Sequence, residues 1–194
     1  MMNDKQDRIL KLNKKLQDFL IANNVEEQLV YGFGNCSSDI VLVGEAPGAQ
    51  EVIQGRPFVG KAGKNLDDFL LYTGIERENV YITNVVKYRP YRISYANNMV
   101  NRAPTKDEID AFRPFLVKEI KVIDPRVIVT LGNTPLTALS RGNVTIGRVH
   151  GMVMDSIVEG KELFPLYHPA SIIYNQNLRD VYLKDLEKLK TYLG

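Results

Sequence analysis

The sequence predicts an α/β fold, a three-layer α/β/α sandwich with a central, mostly parallel four-stranded sheet. Two observations favour this fold. Short apolar runs rich in β-branched residues alternate with helical patterns along the 194 residues, and this alternation is typical of doubly wound sheets. The runs are also continuously apolar, as expected for strands that are covered on both faces. Because 44% of the residues are apolar and no repeat or interdomain linker interrupts the chain, we expect one domain over residues 1–194.

The elements are predicted in the following order. An amphipathic helix is predicted over about 4–23, because apolar residues recur there at helical spacing: Ile9, Leu12, Leu16, Phe19 and Leu20. Strands are predicted at residues 40–43, 80–82, 127–131 and 163–167. Further helices are predicted at residues 65–72, 106–122, 135–139 and 179–192. Thr105 and Glu108 lie three positions apart before the long central helix, a capping-box pattern that indicates where this helix begins.

The composition excludes several classes of protein. Cys36 is the only cysteine, so the chain cannot form an internal disulfide or a metal site built from several thiolates. The sequence contains no secretory signal pattern and no apolar run of membrane-spanning length, which favours a cytoplasmic protein without a membrane partner. The net charge of +2 is too small to indicate a nucleic-acid partner unless the positions of the charges support one.

Two carboxylates mark the predicted ligand edge of the sheet. Glu45 lies in the Pro/Gly turn 44–48 that ends the first predicted strand, and Glu51 follows this turn. His168 comes directly after the last predicted strand. Open parallel sheets bind ligands at the carboxyl ends of their strands, so we expect these side chains to share a site. An ordinary surface turn is the alternative, because Pro and Gly mark many turns that have no function.

The loops at this predicted edge carry basic residues and lack acids. Segments 87–106, 125–154 and 163–179 contain no aspartate or glutamate, which predicts a positive surface for DNA that includes Arg89 and Arg92. Chance clustering is the alternative. Tyr88, Tyr91 and Tyr95 lie among these arginines. They either stack on bases of opened or single-stranded DNA or anchor a long loop to its own domain.

Several motifs, taken in order, resemble those of one enzyme family. The motifs are VGEAPGAQE, GRPFVGKAG, YITNVVKYRP, PRVIVTLGNTP and YHPASI. They are similar to motifs of the uracil-DNA glycosylase superfamily, and within it to the family-four type of bacteria and archaea. The resemblance implies a parallel sheet between helices and a DNA repair hydrolase. Such an enzyme removes uracil from single- or double-stranded DNA and leaves an abasic site, here as a monomer.

The resemblance also implies which residues hold the base. Phe58 stacks on the flipped uracil, Asn84 hydrogen-bonds its edge, and Glu51 excludes thymine at the position of the C5 methyl group. Ala46 lies beside the base, where related families carry an aspartate. The residue types alone leave structural alternatives open: a core aromatic for Phe58, a strand-end cap for Asn84 and a helix-start acid for Glu51.

The catalytic and DNA-binding roles come from the same resemblance. His168 donates to uracil O2 as the departing base becomes an anion, and Glu45 orients water or faces the developing sugar cation. Ser171 binds a phosphate, and Ile172 or Ile173 enters the space that the flipped base leaves. Core packing of His168 and burial of the isoleucines at a helix start are the alternatives.

The chain departs from the family pattern at an iron-sulfur cluster. Family-four enzymes hold this cluster through cysteines, and two of the cysteine positions carry Tyr88 and Phe112 here. We therefore expect no cluster, no other cofactor and no metal, with a contact between Tyr88 and Phe112 in the cluster's place. Two other functions stay open: a DNA-damage-binding protein with weak or altered base specificity, and an α/β nucleotide-binding domain. The second lacks both the GxGxxG and the GxxxxGKS/T motif.

Overall fold

The strands form a central sheet and a separate hairpin. The computed structural model describes residues 4–175 and 177–194, with side chains for all of them except residues 173 and 174. The strands within these residues are β1 (Phe33–Gly34), β2 (Ile40–Gly44), β3 (Tyr81–Asn84), β4 (Tyr91–Ile93), β5 (Met99–Asn101), β6 (Val127–Leu131), β7 (Met154–Asp155) and β8 (Glu162–Leu166). The central sheet has the order β1-β3-β2-β6-β8-β7, and β4 pairs with β5.

The predicted parallel core of the sheet is confirmed. β3, β2, β6 and β8 are parallel neighbours, and they overlap the four predicted runs. The short strands β1 and β7 pair antiparallel at the two edges, so the described sheet has six strands instead of four. Each edge strand is two residues long, which is too short to produce a recognisable apolar period.

The helices follow the predicted order. They are α1 (Asp4–Ala22), α2 (Ala49–Gln54), α3 (Lys61–Thr73), α4 (Lys106–Ile123), α5 (Asn133–Leu139), α6 (Ile146–Val149), α7 (Pro169–Tyr174) and α8 (Leu178–Leu193). The capping box of α4 is confirmed, because the Thr105 hydroxyl accepts from the Glu108 amide at 3.2 Å and the Glu108 carboxylate accepts from the Thr105 amide at 2.6 Å. The short helices α2, α6 and α7 were not predicted. None of the helices described here is long and apolar enough to cross a bilayer.

The hydrophobic core lies on both faces of the sheet, which confirms the three-layer sandwich. Val41 and Val43 pack in a cluster with residues of α1, α4 and α5, whereas Leu42 packs with residues of α3 and α8. Successive side chains of a strand point to opposite faces. A single strand therefore contributes to both cores, and this explains why its run is continuously apolar.

A buried ion pair supports the end of β3. Lys87 and Glu119 are each 2% exposed, and Lys87 Nζ lies 2.6 Å from Glu119 Oε2. Lys87 Nζ also donates to the backbone oxygen of Asn84 at 2.8 Å, while Tyr81 and Thr83 donate to Glu119. Because each buried charge has a charged partner and further hydrogen bonds, the network fixes the loop that leaves β3.

The segment that was predicted to be a long loop contains the hairpin β4–β5. Its register pairs Tyr91 with Asn101 and Ile93 with Met99. The turn closes through a hydrogen bond from the Ser94 amide to the Asn98 oxygen at 2.9 Å, and Asn97 takes the left-handed conformation with φ 56°, which asparagine tolerates better than most residues.

Candidate active site

All four predicted base-binding residues line one cavity at the carboxyl ends of β2, β3 and β8. The cavity has a volume of about 310 Å³. The predicted residues on its wall are Ala46, Glu51, Phe58, Asn84 and His168. Parallel strands bring residues that are distant in sequence to one edge, and here that edge joins the segments around residues 45–60, 84 and 168. The arrangement provides a flat ring, an amide, a carboxylate and an imidazole around one small space.

The loop that carries Phe58 is tightly fitted. Phe58 has φ 53°, a left-handed conformation that is strained for an aromatic residue and that concentrates at functional sites. A Cβ at Gly44 would lie 2.6 Å from the Phe58 ring, and one at Gly63 would lie 2.0 Å from the Phe58 carbonyl oxygen. Arg77 donates to the same carbonyl at 2.8 Å. Two glycines and one arginine thus hold the ring at the cavity.

Glu51 has two structural roles in addition to its place on the cavity wall. Its carboxylate accepts hydrogen bonds from the backbone amides of Gly48 at 3.1 Å, Val59 at 3.1 Å and Gly60 at 2.8 Å. It therefore caps the start of α2, as in the helix-start alternative, and also ties this helix to the loop that follows Phe58. The capping role and the pocket role are compatible in one side chain.

Asn84 is the last residue of β3 and is 2% exposed. It pairs in register with Gly44 of β2, and a Cβ at Gly44 would lie 2.3 Å from Asn84 Oδ1. The absence of a side chain at Gly44 therefore leaves room for the carboxamide. Since Lys87 holds the backbone oxygen of Asn84, the amide is presented to the cavity from a rigid strand end.

The hydrogen bonds of His168 define its tautomer. Its Nδ1 accepts from the backbone amide of Ala170 at 3.1 Å, so in the neutral ring the proton is on Nε2. Burial lowers the pKa of His168 below its ordinary value, and the charge of Glu51 opposes this shift only in part. The ring lies 5.9 Å from that of Phe58, with 30° between the planes. His168 is therefore a neutral imidazole with an Nε2–H donor beside the flat ring.

Glu45 lies next to the cavity. Two residues that were not predicted from the sequence belong to this region: Thr134 contacts Glu45, and Asn101 forms part of the cavity wall. The Glu45 carboxylate accepts a hydrogen bond from the hydroxyl of Thr134 at the start of α5. Asn101 of β5 lines the cavity, and Arg89 donates to its side-chain oxygen at 2.7 Å. The only signal for Thr134 in the sequence was its position shortly after the end of a predicted strand. No pattern in the sequence indicated Asn101, because that residue reaches the cavity through the hairpin.

The predicted DNA-contacting residues differ in accessibility. Arg92 is exposed and Ser171 is half-buried. Arg89, which precedes β4, is half-buried and donates to the Asn101 side-chain oxygen and to the Met99 carbonyl oxygen. Ile172 is 8% exposed and packs in the core, as the burial alternative expects, and its entry into DNA stays a prediction. The side chain of Ile173 lies outside the described residues.

Tyr88 and Phe112, which stand at two cysteine positions of the family pattern, form an aromatic contact with an ionic contact beside it. The rings of Tyr88 and Phe112 lie 5.5 Å apart at 66°, and the Tyr88 hydroxyl donates to Glu108. Arg102 donates to both carboxylate oxygens of Glu108 at 2.7 Å, and mainly for this reason the pKa of Glu108 falls to about 2. Residues without thiol groups do not fit a cluster that needs thiolate ligands.

The cavity can hold a planar polar ligand, because the Phe58 ring can stack on its face and the Asn84 amide and the His168 imidazole can bond to its edge. Residues 31–190 match the model of the Uracil DNA glycosylase superfamily. The chain belongs to this superfamily, as its motifs predicted.

Curated relatives agree with this family, and a solved structure agrees with the fold. A type-4 uracil-DNA glycosylase of Thermotoga maritima is 43% identical over 168 residues, which cover 85% of this chain and 83% of that protein. A type-4 uracil-DNA glycosylase of Archaeoglobus fulgidus is 40% identical over 171 residues, with coverages of 85% and 82%. The crystal structure of Pedobacter heparinus SMUG2 has a similar fold, with a TM-score of 0.53 at 13% identity over 81% of this chain and 75% of that one.

Proposed function

We propose that this protein hydrolyses the N-glycosidic bond of uracil in DNA and leaves an abasic site. The observation that carries the proposal is the cavity in which Phe58, Asn84 and His168 come together from three separate segments of the chain. Membership of the uracil-DNA glycosylase superfamily supports the same reaction. The enzyme must extrude the target nucleotide before the base can enter such a cavity, and a close-fitting pocket compensates part of that free energy.

Base identity is read by Asn84 and Glu51 in this proposal. The Asn84 carboxamide accepts from uracil N3–H and donates to O4, whereas cytosine presents the opposite order and would leave both groups unpaired. Glu51 stands against the C5 position, where thymine carries a methyl group. Its three backbone hydrogen bonds support this role, because a carboxylate held so firmly cannot move aside for a methyl group. Ala46 adds a small apolar contact beside the base.

Bond cleavage leaves positive charge on the sugar and negative charge on uracil O2. His168 donates from Nε2 to that oxygen, and the Ala170 amide keeps the ring in the required tautomer. Glu45 orients the attacking water or faces the sugar cation. The Thr134 hydroxyl holds one oxygen of the Glu45 carboxylate, which leaves the other oxygen for that role.

The substrate in this proposal is DNA, single- or double-stranded, and the enzyme acts in the cytoplasm as a monomer. Arg92 is exposed on the acid-free hairpin segment and contacts phosphates. Ser171 follows His168 at the start of α7 and binds the phosphate next to the flipped nucleotide. Arg89 contacts DNA beside Arg92 and also holds Asn101 at the cavity.

The enzyme requires no iron-sulfur cluster or other cofactor in this proposal. Cys36 is the only cysteine in the chain, and its thiol donates to Gln6 at 2.9 Å. Protein purified without oxygen should therefore contain no stoichiometric iron and show no visible absorption band. Several irons per chain together with cluster absorption would overturn this part of the proposal and leave the assignment of the reaction untouched.

The reaction is tested with matched uracil-containing oligonucleotides. Single strands and duplexes are incubated with the protein, treated with alkali and analysed for cleavage at the abasic site, with thymine and cytosine at the same position as controls. Cleavage confined to the uracil strand supports the proposal. Tight binding of uracil DNA without cleavage would favour a damage-binding protein, and neither binding nor cleavage would favour a nucleotide-binding domain.

A further inference from the structure

The hairpin β4–β5 extends one wall of the cavity outwards. Asn101 lines the cavity, and residues two apart on a strand share a face. Met99 therefore lies on the same face as Asn101, and its cross-strand partner Ile93 lies there too. Two residues of strand span about 7 Å. Ile93 and Met99 accordingly lie about 7 Å from Asn101 along the strand. A nucleotide next to one whose base is in the cavity would lie at about this distance.

This face is exposed and apolar where a free hairpin would normally be polar. Ile93 is 55% exposed, Met99 is 49% exposed, and Tyr95 in the turn is 110% exposed. The other two tyrosines of the segment differ from Tyr95, since Tyr88 packs on Phe112 and Tyr91 is half-buried. Of the two roles that the sequence left open for these tyrosines, anchoring fits Tyr88, whereas Tyr95 is free to contact a partner.

The hairpin segment carries basic residues and no acid of its own, which favours a polyanion. Glu26, Glu27 and Glu108 line a groove with Ile93 and Arg92, and Glu108 is paired with Arg102. The segment 87–106 contains no acid, and Arg92 is exposed on the opposite face of the hairpin from Ile93 and Met99. A basic edge beside exposed aromatic and aliphatic side chains is the combination that binds single strands, because the faces of unpaired bases are open to stacking. In a duplex the same faces are covered by neighbouring base pairs.

We propose that Ile93, Tyr95 and Met99 form a shelf that binds the unpaired bases next to the flipped uracil in single-stranded DNA. The inference rests on the proposed function for the position of the flipped base. The shelf raises the efficiency of uracil removal from single strands over that from duplexes, since only the single strand offers free base faces to it.

The test compares Tyr95→Ser and Tyr95→Phe with the wild type. Loss of one base–aromatic stack is expected to lower kcat/KM on a single-stranded uracil oligonucleotide by about tenfold, with Tyr95→Phe close to wild type and much less change on the duplex. The matched control is Tyr72→Ser. Tyr72 is 44% exposed and lies at the far end of α3 from Lys61, which lines the cavity.

The outcomes separate the shelf from the reaction. Unchanged kcat/KM on single strands for Tyr95→Ser, an equal loss on duplexes, or the same loss in Tyr72→Ser would each overturn the shelf. If the wild type removes no uracil, the proposed function fails, and the shelf is then judged by the anisotropy of a labelled single strand without uracil. Weaker binding by Tyr95→Ser than by Tyr72→Ser supports the shelf, and equal binding overturns it.

Discussion

Glu45→Gln is expected to lower the single-turnover rate of uracil removal by about 10²–10⁴-fold, the range of positioned acid–base groups. Glutamine keeps the size of the side chain, and its amide oxygen still accepts from the Thr134 hydroxyl that holds Glu45. The substitution therefore removes the negative charge and the basic oxygen without disturbing the connection between β2 and α5. The affinity for uracil-containing DNA should stay close to that of the wild type, because Phe58 and Asn84 are untouched.

The measurement is the rate of abasic-site formation with enzyme in excess, together with the dissociation constant for the same oligonucleotide. Glu78→Gln is the matched control, since Glu78 is exposed and lies in the turn that precedes β3, at the opposite edge of the sheet from the cavity. A wild-type rate in Glu45→Gln would remove Glu45 from the chemistry. An equal loss in Glu78→Gln would point to a general effect of lost charge.

The parallel part of the fold could be predicted because each strand fills both cores. The run 127–131 is buried at every position and apolar at all of them except Thr130, and its length and β-branched composition distinguish it from a helix. The edge strands could not be predicted, because β1 and β7 form by pairing with β3 and β8 and carry no pattern of their own. The hairpin β4–β5 could not be predicted either. Its exposed face is apolar, so the segment lacks the usual alternation of a half-buried strand, and its several loop-forming residues favoured a long loop instead.

The site was predictable where motif residues follow strand ends. Asn84 follows an apolar run by two positions and His168 comes directly after another, so the geometry of a parallel sheet brings them together. Asn101 and Thr134 reach the site through contacts that only the three-dimensional arrangement creates: the hairpin register for Asn101 and the neighbouring position of β2 and β6 for Thr134. The hydrogen bonds of Glu51 to three amides likewise depend on a loop conformation that the sequence does not specify.

His168→Leu is expected to lower the rate of uracil removal by about 10²–10³-fold, as for the loss of one preorganised donor to a developing oxyanion. Leucine fills most of the space but offers no Nε2–H, and the Ala170 amide loses its acceptor. His168→Asn keeps a polar group and is the second variant, so that loss of packing and loss of the donor can be separated. Equal rates for the wild type and His168→Leu would exclude the imidazole as the donor.

The ionisation of His168 predicts how stability and rate depend on pH. Burial lowers its pKa below the ordinary value in the folded protein, whereas the unfolded chain takes up the proton near about pH 6.5. Just below about pH 6.5 the unfolded chain therefore binds more protons than the folded protein does. The stability that neutral His168 contributes is fully present above about pH 6.5 and is lost as the pH falls below that value toward the lower pKa of the folded state. In urea unfolding, the difference in free energy of unfolding between wild type and His168→Asn should shrink on acidification.

The rate of uracil removal should stay constant down to about pH 6.5 and fall at lower pH, because protonation of His168 Nδ1 breaks the hydrogen bond from the Ala170 amide. A rate that rises on acidification would instead identify the charged imidazolium as the catalytic form.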